Sequence, residues 1–250
     1  MSGWEPPSVL EERLKNALVP PALYYRFRAH RELRRGEREL GLLPYLLDRR
    51  RNSVDVGANK GVYTYWLQRY SRHVHAYEPN PKMFRLLEAG AGGNVTVLPV
   101  ALSNANGRAR LRVPQTAKGY SNQGASLNHE KVGATYGEVE VETRRLDDEG
   151  LCDVGFIKID VEGHEFAVLE GARETIARDR PTLLIEIEET HNKMPIEDSL
   201  ARVADLGYDG FALIGGSLKS LAFFDAEAHH RAPARREDYV FNFLFFARER

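Results

Sequence analysis

The chain has 250 residues, 42% hydrophobic and 28% charged, with 35 Lys and Arg against 36 Asp and Glu for a net charge of −1. That apolar share excludes wholesale disorder, and the balanced charge gives no general electrostatic case for nucleic-acid binding. A single cysteine, Cys152, excludes an intrachain disulfide and cysteine-rich zinc sites.

Residues Met1 to Arg13 contain Glu5, Glu11 and Glu12 and no apolar core segment, unlike a secretory signal. No stretch approaches the roughly 18 apolar residues that span a bilayer. The expectation is a cytoplasmic protein without a transmembrane segment, with homo-oligomerisation left open. Residues 1–51 read as a basic, helical extension. Pro20–Pro21 opens a run in which Leu23, Phe27 and Leu33 recur among Arg26, Arg28, Arg31, Arg34 and Arg35. Leu40, Leu43, Leu46 and Leu47 continue that period. The basic side is either solvated or a lid or docking surface for an acidic or lipid-linked substrate.

Residues 52–250 alternate strand and helix. Strands are predicted at Ser53–Gly57, His73–Glu78, Asn94–Leu102, Gly155–Val161 and Pro181–Glu188. Helices are predicted at Gly61–Tyr70, Pro81–Ala89, His164–Arg178 and Ile196–Leu206, before closing strands Tyr208–Ile214 and Tyr239–Ala247. This order implies an α/β fold: a mostly parallel, doubly wound sheet with helices on both faces. Two segments interrupt it. Residues 114–137 form a polar, glycine-rich insertion between strands Ala109–Val113 and Val139–Arg145, and residues 215–237 form a long loop. Both exceed ordinary connections and read as functional or mobile loops.

The most informative run is Val54-Asp55-Val56-Gly57-Ala58-Asn59-Lys60-Gly61. A buried strand ends at a glycine turn and a helix begins, so backbone N–H groups face a ligand. Glu78 closes the second strand about twenty residues later, where a carboxylate matches the two hydroxyls of a ribose. A pyrophosphate needs a glycine where Asn59 stands, and Asp55 near the charged end favours an ammonium group. These features fit S-adenosylmethionine (SAM) better than a nicotinamide dinucleotide.

Four segments carry a resemblance: Asp55-Val-Gly-Ala-Asn-x-Gly61, Tyr77-Glu78-Pro79-Asn80-Pro81, Ala101-Leu102-Ser103-Asn104 with Gly107, and Lys158-Ile-Asp160-Val-Glu162-Gly163-His-Glu165. In this order the chain resembles the FkbM family of SAM-dependent methyltransferases from about Glu39 to Phe246. The resemblance implies a Rossmann-like class I methyltransferase with a seven-stranded, mostly parallel sheet whose last strand is antiparallel. It implies a small-molecule or glycan acceptor, most often a hydroxyl of a sugar, glycolipid or polyketide. Carried over by position, Asp55, Gly57, Ala58, Asn59 and Gly61 hold the methionine end, Glu78 with Pro79 the ribose, and Ala101 with Leu102 the adenine. No acid follows the third strand immediately, so recognition of the adenine amino group is unassigned, with Ser103 or Asn104 able to supply it.

A second cluster lies on a strand that should be apolar on both faces. Alternation puts Lys158, Asp160 and Glu162 on one face of Phe156–Glu162. Either Lys158 and Asp160 simply pair, or Asp160 stands at the strand's carboxyl end beside the sulfonium. Glu186 and Glu188 share a face of the next strand; if the two strands match in parity, an acidic rim results. A hydroxyl acceptor needs a general base or a divalent cation. Asp160, Glu162, His164 and Glu186 are the catalytic candidates. Glu165 is a further base or a helix brace, and His191 and Asn192 lie just past the strand. The rim's oxygen ligands leave Mg²⁺ open, and no metal ligand is assigned. Tyr120, Ser126 and His129 of the insertion are either acceptor contacts or part of a solvated loop. The competing functions are N-methylation of a protein or other amine or amide, non-catalytic SAM or nucleotide binding, and nicotinamide oxidoreduction.

Overall fold

In the computed structural model, residues 5–7, 19–116, 119–120, 124–128 and 135–249 are described. Helices α1 (Pro21–Arg35) and α2 (Leu43–Leu46) precede β1 (Asn52–Val56). Then follow α3 (Val62–Tyr70), β2 (Val74–Tyr77), α4 (Pro81–Gly90) and β3 (Val95–Leu98). A β-rich stretch comes next: β4 (Val100–Leu102), β5 (Gly107–Thr116), β6 (Gly119–Tyr120) and β7 (Tyr136–Arg144). The alternating pattern resumes with β8 (Val154–Ile159), α5 (Glu165–Gly171), α6 (Arg173–Asp179), β9 (Thr182–Glu186), α7 (Glu189–Asn192) and α8 (Ile196–Ala204). Strands β10 (Tyr208–Ile214), β11 (Ser217–Ser220) and β12 (Asn242–Ala247) close the chain.

The main sheet has the order β11-β10-β12-β9-β8-β1-β2-β3. Strands β3, β2, β1, β8 and β9 run parallel, and β12 enters antiparallel between β9 and β10. The expected α/β fold with an antiparallel last strand is therefore present. The eighth strand, β11, pairs as a hairpin on β10. It belongs to the segment expected to be loop, which also holds helical turns at Leu221–Phe223, Glu227–Arg231 and Arg236–Asp238. All five residues of β1 are buried. Burial on both faces is what a continuous apolar strand between parallel neighbours requires.

Two expected elements are divided, and the strands beside the insertion are extended. The strand predicted over Asn94–Leu102 splits at Pro99, which has no N–H for a ladder. Its first half, β3, joins the main sheet, and its second half, β4, joins a separate sheet of order β4-β7-β5-β6. The strands flanking the insertion are longer than predicted and build that sheet, with a small core of Ala101, Leu111, Val113, Val139 and Val141. The helix predicted over His164–Arg178 breaks at Ala172. There Gly171 packs so tightly on the Ser103 carbonyl that a Cβ would stand 1.9 Å from its oxygen.

The apolar face expected of the extension also differs. Leu23 is 57% and Phe27 65% exposed, whereas Tyr25 and Ala29 are buried. The Tyr25 ring fills a groove that two glycines leave open: a Cβ on Gly61 or Gly90 would come within 2.6 or 2.9 Å of it. Trp66 Nε1 donates to the Ala29 carbonyl at 3.2 Å, and Tyr25 meets Tyr65 edge-on at 5.3 Å. Tyr25, Ala29, Leu40 and Leu43 thus share one core cluster with β2 and α3. A large aromatic that reaches a glycine groove wins the burial over the leucine spacing.

Candidate active site

The site forms where β1, β2, β8 and β9 end. Gly57 has φ +77°, and a Cβ there would lie 1.9 Å from the Asp160 carbonyl oxygen. Only glycine allows the two strand ends to approach so closely. The Gly57 and Ala58 N–H groups donate to the Tyr77 carbonyl at 3.0 and 3.1 Å, and Asp160 N–H donates to the Val56 carbonyl at 3.0 Å. Asn59, at φ +50°, turns its backbone N–H onto Glu78 Oε2 at 2.6 Å. Asn80 N–H donates to the other oxygen of Glu78 at 2.8 Å.

Glu78 is 6% exposed, and burial pushes its carboxyl up to about 7 against those two N–H bonds. Each oxygen keeps a lone pair for a further donor, the pattern a vicinal diol fills. Asn59 Oδ1 is buried without a hydrogen-bond partner. A buried, unsatisfied acceptor is costly unless a ligand donates to it. These observations fit a bound adenosyl group. A cavity of about 210 Å³ runs from Gly57, Asn59, Glu78 and Pro79 to Ala101 and Leu102. Asp55 sits beneath the turn, accepts from Thr64 Oγ1 at 2.5 Å, and is pushed up to about 6 by burial. Asp55 and Ala58 line a second, larger cavity instead. Gly61 lines neither: it opens α3 and lies under Leu87 and Tyr25.

The register resolves the parity question. Lys158 pairs with Leu184 and Ile159 with Ile185, so the positions continue to Asp160 beside Glu186. Glu162 reaches them by another route than alternation. The strand ends at Ile159, and Glu162 and Gly163 take left-handed conformations, φ +56° and +94°. One carboxylate oxygen from each of Asp160, Glu162 and Glu186 lies within 4.8 Å of the others. Oxygen-only donors at that spacing fit a hard divalent cation. Burial, then the neighbouring Asp160 charge, raises the Glu186 carboxyl well above the usual carboxylate range.

Lys158 is 1% exposed and donates from Nζ to Asn242 Oδ1 at 3.0 Å, 5.0 Å from the Tyr63 ring centroid. Burial opposes its charge, but Asp160, Glu37, Glu186 and Asp55 together raise it above its ordinary value. Lys158 is therefore shared among several acids rather than paired with Asp160 alone. His191 stands 3.3 Å from Glu162 through Nδ1 and 3.7 Å from Glu188 through Nε2.

His164 is half-buried, and its Nε2 meets Ser103 Oγ at 2.9 Å on the wall of the smaller cavity. Burial lowers its basicity. Glu165 braces the turn by accepting from Gly163 N–H at 2.8 Å. Ser126 of the insertion donates to the Glu162 carbonyl at 2.7 Å, and Asn128 donates to the His191 carbonyl at 2.9 Å. Two hydrogen bonds thus join the insertion to the acidic turn and to α7. His129 lies outside the described residues.

Glu37, Tyr63 and Asn242 were not legible as site residues. Glu37 accepts from Tyr63 Oη at 2.6 Å and from Asn242 Nδ2 at 2.9 Å, and it lines both cavities. No motif marks it, because its partners are distant in the chain.

A model described as the methyltransferase FkbM domain matches residues 55–209. The chain belongs to the FkbM methyltransferase family. It thereby carries the domain of a SAM-dependent methyltransferase. The 2-O-methyltransferase NoeI of Sinorhizobium fredii is 28% identical over 144 residues, which is 51% of this chain and 59% of that protein. The crystal structure of the methyltransferase FkbM from Methylobacillus flagellatus shares the fold, with a TM-score of 0.53 and 18% identity. That match covers 82% of this FkbM-family chain and 45% of the other. The chain thus spans about half the length of these relatives. No helix among the described residues is long and apolar enough to cross a membrane.

Proposed function

We propose that the protein transfers a methyl group from SAM to a hydroxyl of a sugar, glycolipid or polyketide-type acceptor. The observation that carries this reading is the junction at Asp160. It lines both the adenosine-sized cavity and the larger one beside it, with Glu162 and Glu186 within reach. The similarity to a 2-O-methyltransferase supports oxygen as the acceptor atom.

SAM, when bound, supplies an electrophilic methyl group for in-line displacement. The protein's residues do the remaining work. Glu78 and Asn59 hold the ribose, Gly57 lets the backbone close on it, and Ala101 and Leu102 flank the base. Asp160, on the wall of both cavities, faces the positive methionine end. Fixing both reactants across one seam supplies much of the acceleration. Glu162, oriented by His191, takes the hydroxyl proton as the acceptor oxygen attacks. Asp160, Glu162 and Glu186 would hold Mg²⁺, which would lower the hydroxyl's pKa and compete with the proton on Glu186.

Incubation with labelled SAM and a panel of hydroxylated sugars, with Mg²⁺ or with a chelator, tests this. Alkali-stable label on acceptor oxygen is expected. Label found only on amines or amides would overturn the O-methylation reading.

A further inference from the structure

The larger cavity, about 880 Å³, is roofed by the carboxyl-terminal half of α1 and by residues 235–241, and its floor holds Asp55, Lys158 and Asp160. Its size suits a ligand of disaccharide or nucleotide-sugar dimensions. Six arginines line it: Arg28, Arg34, Arg35, Arg38, Arg235 and Arg236. All but Arg28 are exposed to solvent. The acids on this wall are largely committed. Glu37 accepts from Tyr63 and Asn242, Glu32 pairs with Arg31, and Glu237 and Asp238 both pair with Arg235, so the ligand falls to the other five arginines. Glu39 is raised above its ordinary value, chiefly by burial. Arg28 Nε is buried without a hydrogen-bond partner and lines the same cavity. A buried guanidinium N–H with no acceptor has an unmet requirement that an anionic ligand satisfies.

We infer that the acceptor carries a phosphate or diphosphate group, held by these arginines while its hydroxyl lies at Asp160. Guanidinium forks match phosphate oxygens bidentately, and a basic wall facing an acidic floor orients the ligand with its anion outward. The acidic floor itself repels the anion and so sets the direction of entry. This rests on the methyltransferase reading of the site, because the hydroxyl end is defined by Asp160.

The test is calorimetric titration of the full chain, loaded with S-adenosylhomocysteine, with four probes: glucose, glucose 1-phosphate, uridine diphosphate glucose and geranyl diphosphate. At least one phosphorylated probe is expected to bind about tenfold or more tighter than glucose, more weakly as salt rises. The soluble and prenyl probes distinguish a nucleotide-linked from a lipid-linked source. The paired variant Arg34→Gln/Arg35→Gln is expected to lose about tenfold in affinity for that probe, with homocysteine-product binding unchanged. Phosphorylated probes that bind no better than glucose, or that ignore the paired substitution, would overturn the inference. Failure of the loading step itself would instead overturn the proposed function.

Discussion

The two cavities that meet at Asp160 are built in opposite ways. The ribose end of the smaller is made by backbone geometry over short chain separations: Gly57, Asn59 and Glu78 lie in one β-α-β unit and are fixed by N–H bonds. The larger is made by side chains from both ends of the chain, with Glu37 and Asn242 in one hydrogen bond. The first kind of site depends on a turn only glycine can make and tolerates little change. The second depends on charge and packing, and it can be retuned residue by residue. In this FkbM-family protein the invariable half would serve the cofactor and the adjustable half the acceptor.

Several substitutions break or sharpen that contrast. Asp160 belongs to both halves, so Asp160→Asn should lower kcat by about a thousandfold, within the range for loss of a positioned charged group, while the fold survives by circular dichroism. Retained turnover would show that the seam lies elsewhere. Gly57→Ala should abolish cofactor binding, because the added Cβ meets backbone 1.9 Å away. A melting temperature that still rises with added cofactor as in wild type, at unchanged cofactor affinity, would remove the turn from the binding half.

Lys158→Met should leave Asp160, Asp55 and Glu186 without their shared cation. A loss of about 3–5 kcal/mol is expected on removing one partner of a buried charged set, read by urea unfolding. Glu78 gives a pH signature. Its carboxyl titrates near 7 in the folded chain against 4.5 for an unperturbed glutamate, because it is buried. The folded state therefore holds that proton more tightly. The stability this contributes is complete below pH 4.5 and is lost as pH rises through 7, by roughly 3 kcal/mol. Glu78→Gln should flatten that decline in the ligand-free protein; an unaltered pH profile would contradict the burial argument. The smallest effect is expected from Ser126→Ala, about 1–2 kcal/mol for a buried hydroxyl that donates to the Glu162 carbonyl and accepts from Asn128 N–H, seen as a modest fall in melting temperature.

The half of the molecule governed by local chemistry was readable from sequence. The β1 turn, the acid that follows β2, and Lys158 with Asp160 sit where periodicity and spacing put them, because strand burial and glycine conformation are local properties. The matching parity of Asp160 and Glu186 was not readable, since register depends on the pairing of two strands. Glu162 joined them for a reason alternation does not supply, the left-handed turn at residues 162–163. Leu23 and Phe27 misled for a related reason: helical spacing finds a face, but the Gly61 and Gly90 groove that selects Tyr25 exists only once α3 and α4 are packed. The second sheet was hidden by Pro99, which ends one ladder and lets the next residues join another.

The most direct test of the cofactor half is calorimetric titration of S-adenosylhomocysteine into the wild-type chain and into Glu78→Ala. The account predicts saturable binding at one site, weakened about tenfold or more by loss of the charged hydrogen bonds to the ribose. A folded wild-type sample that gives no heat, or a variant that binds as tightly as wild type, would contradict it.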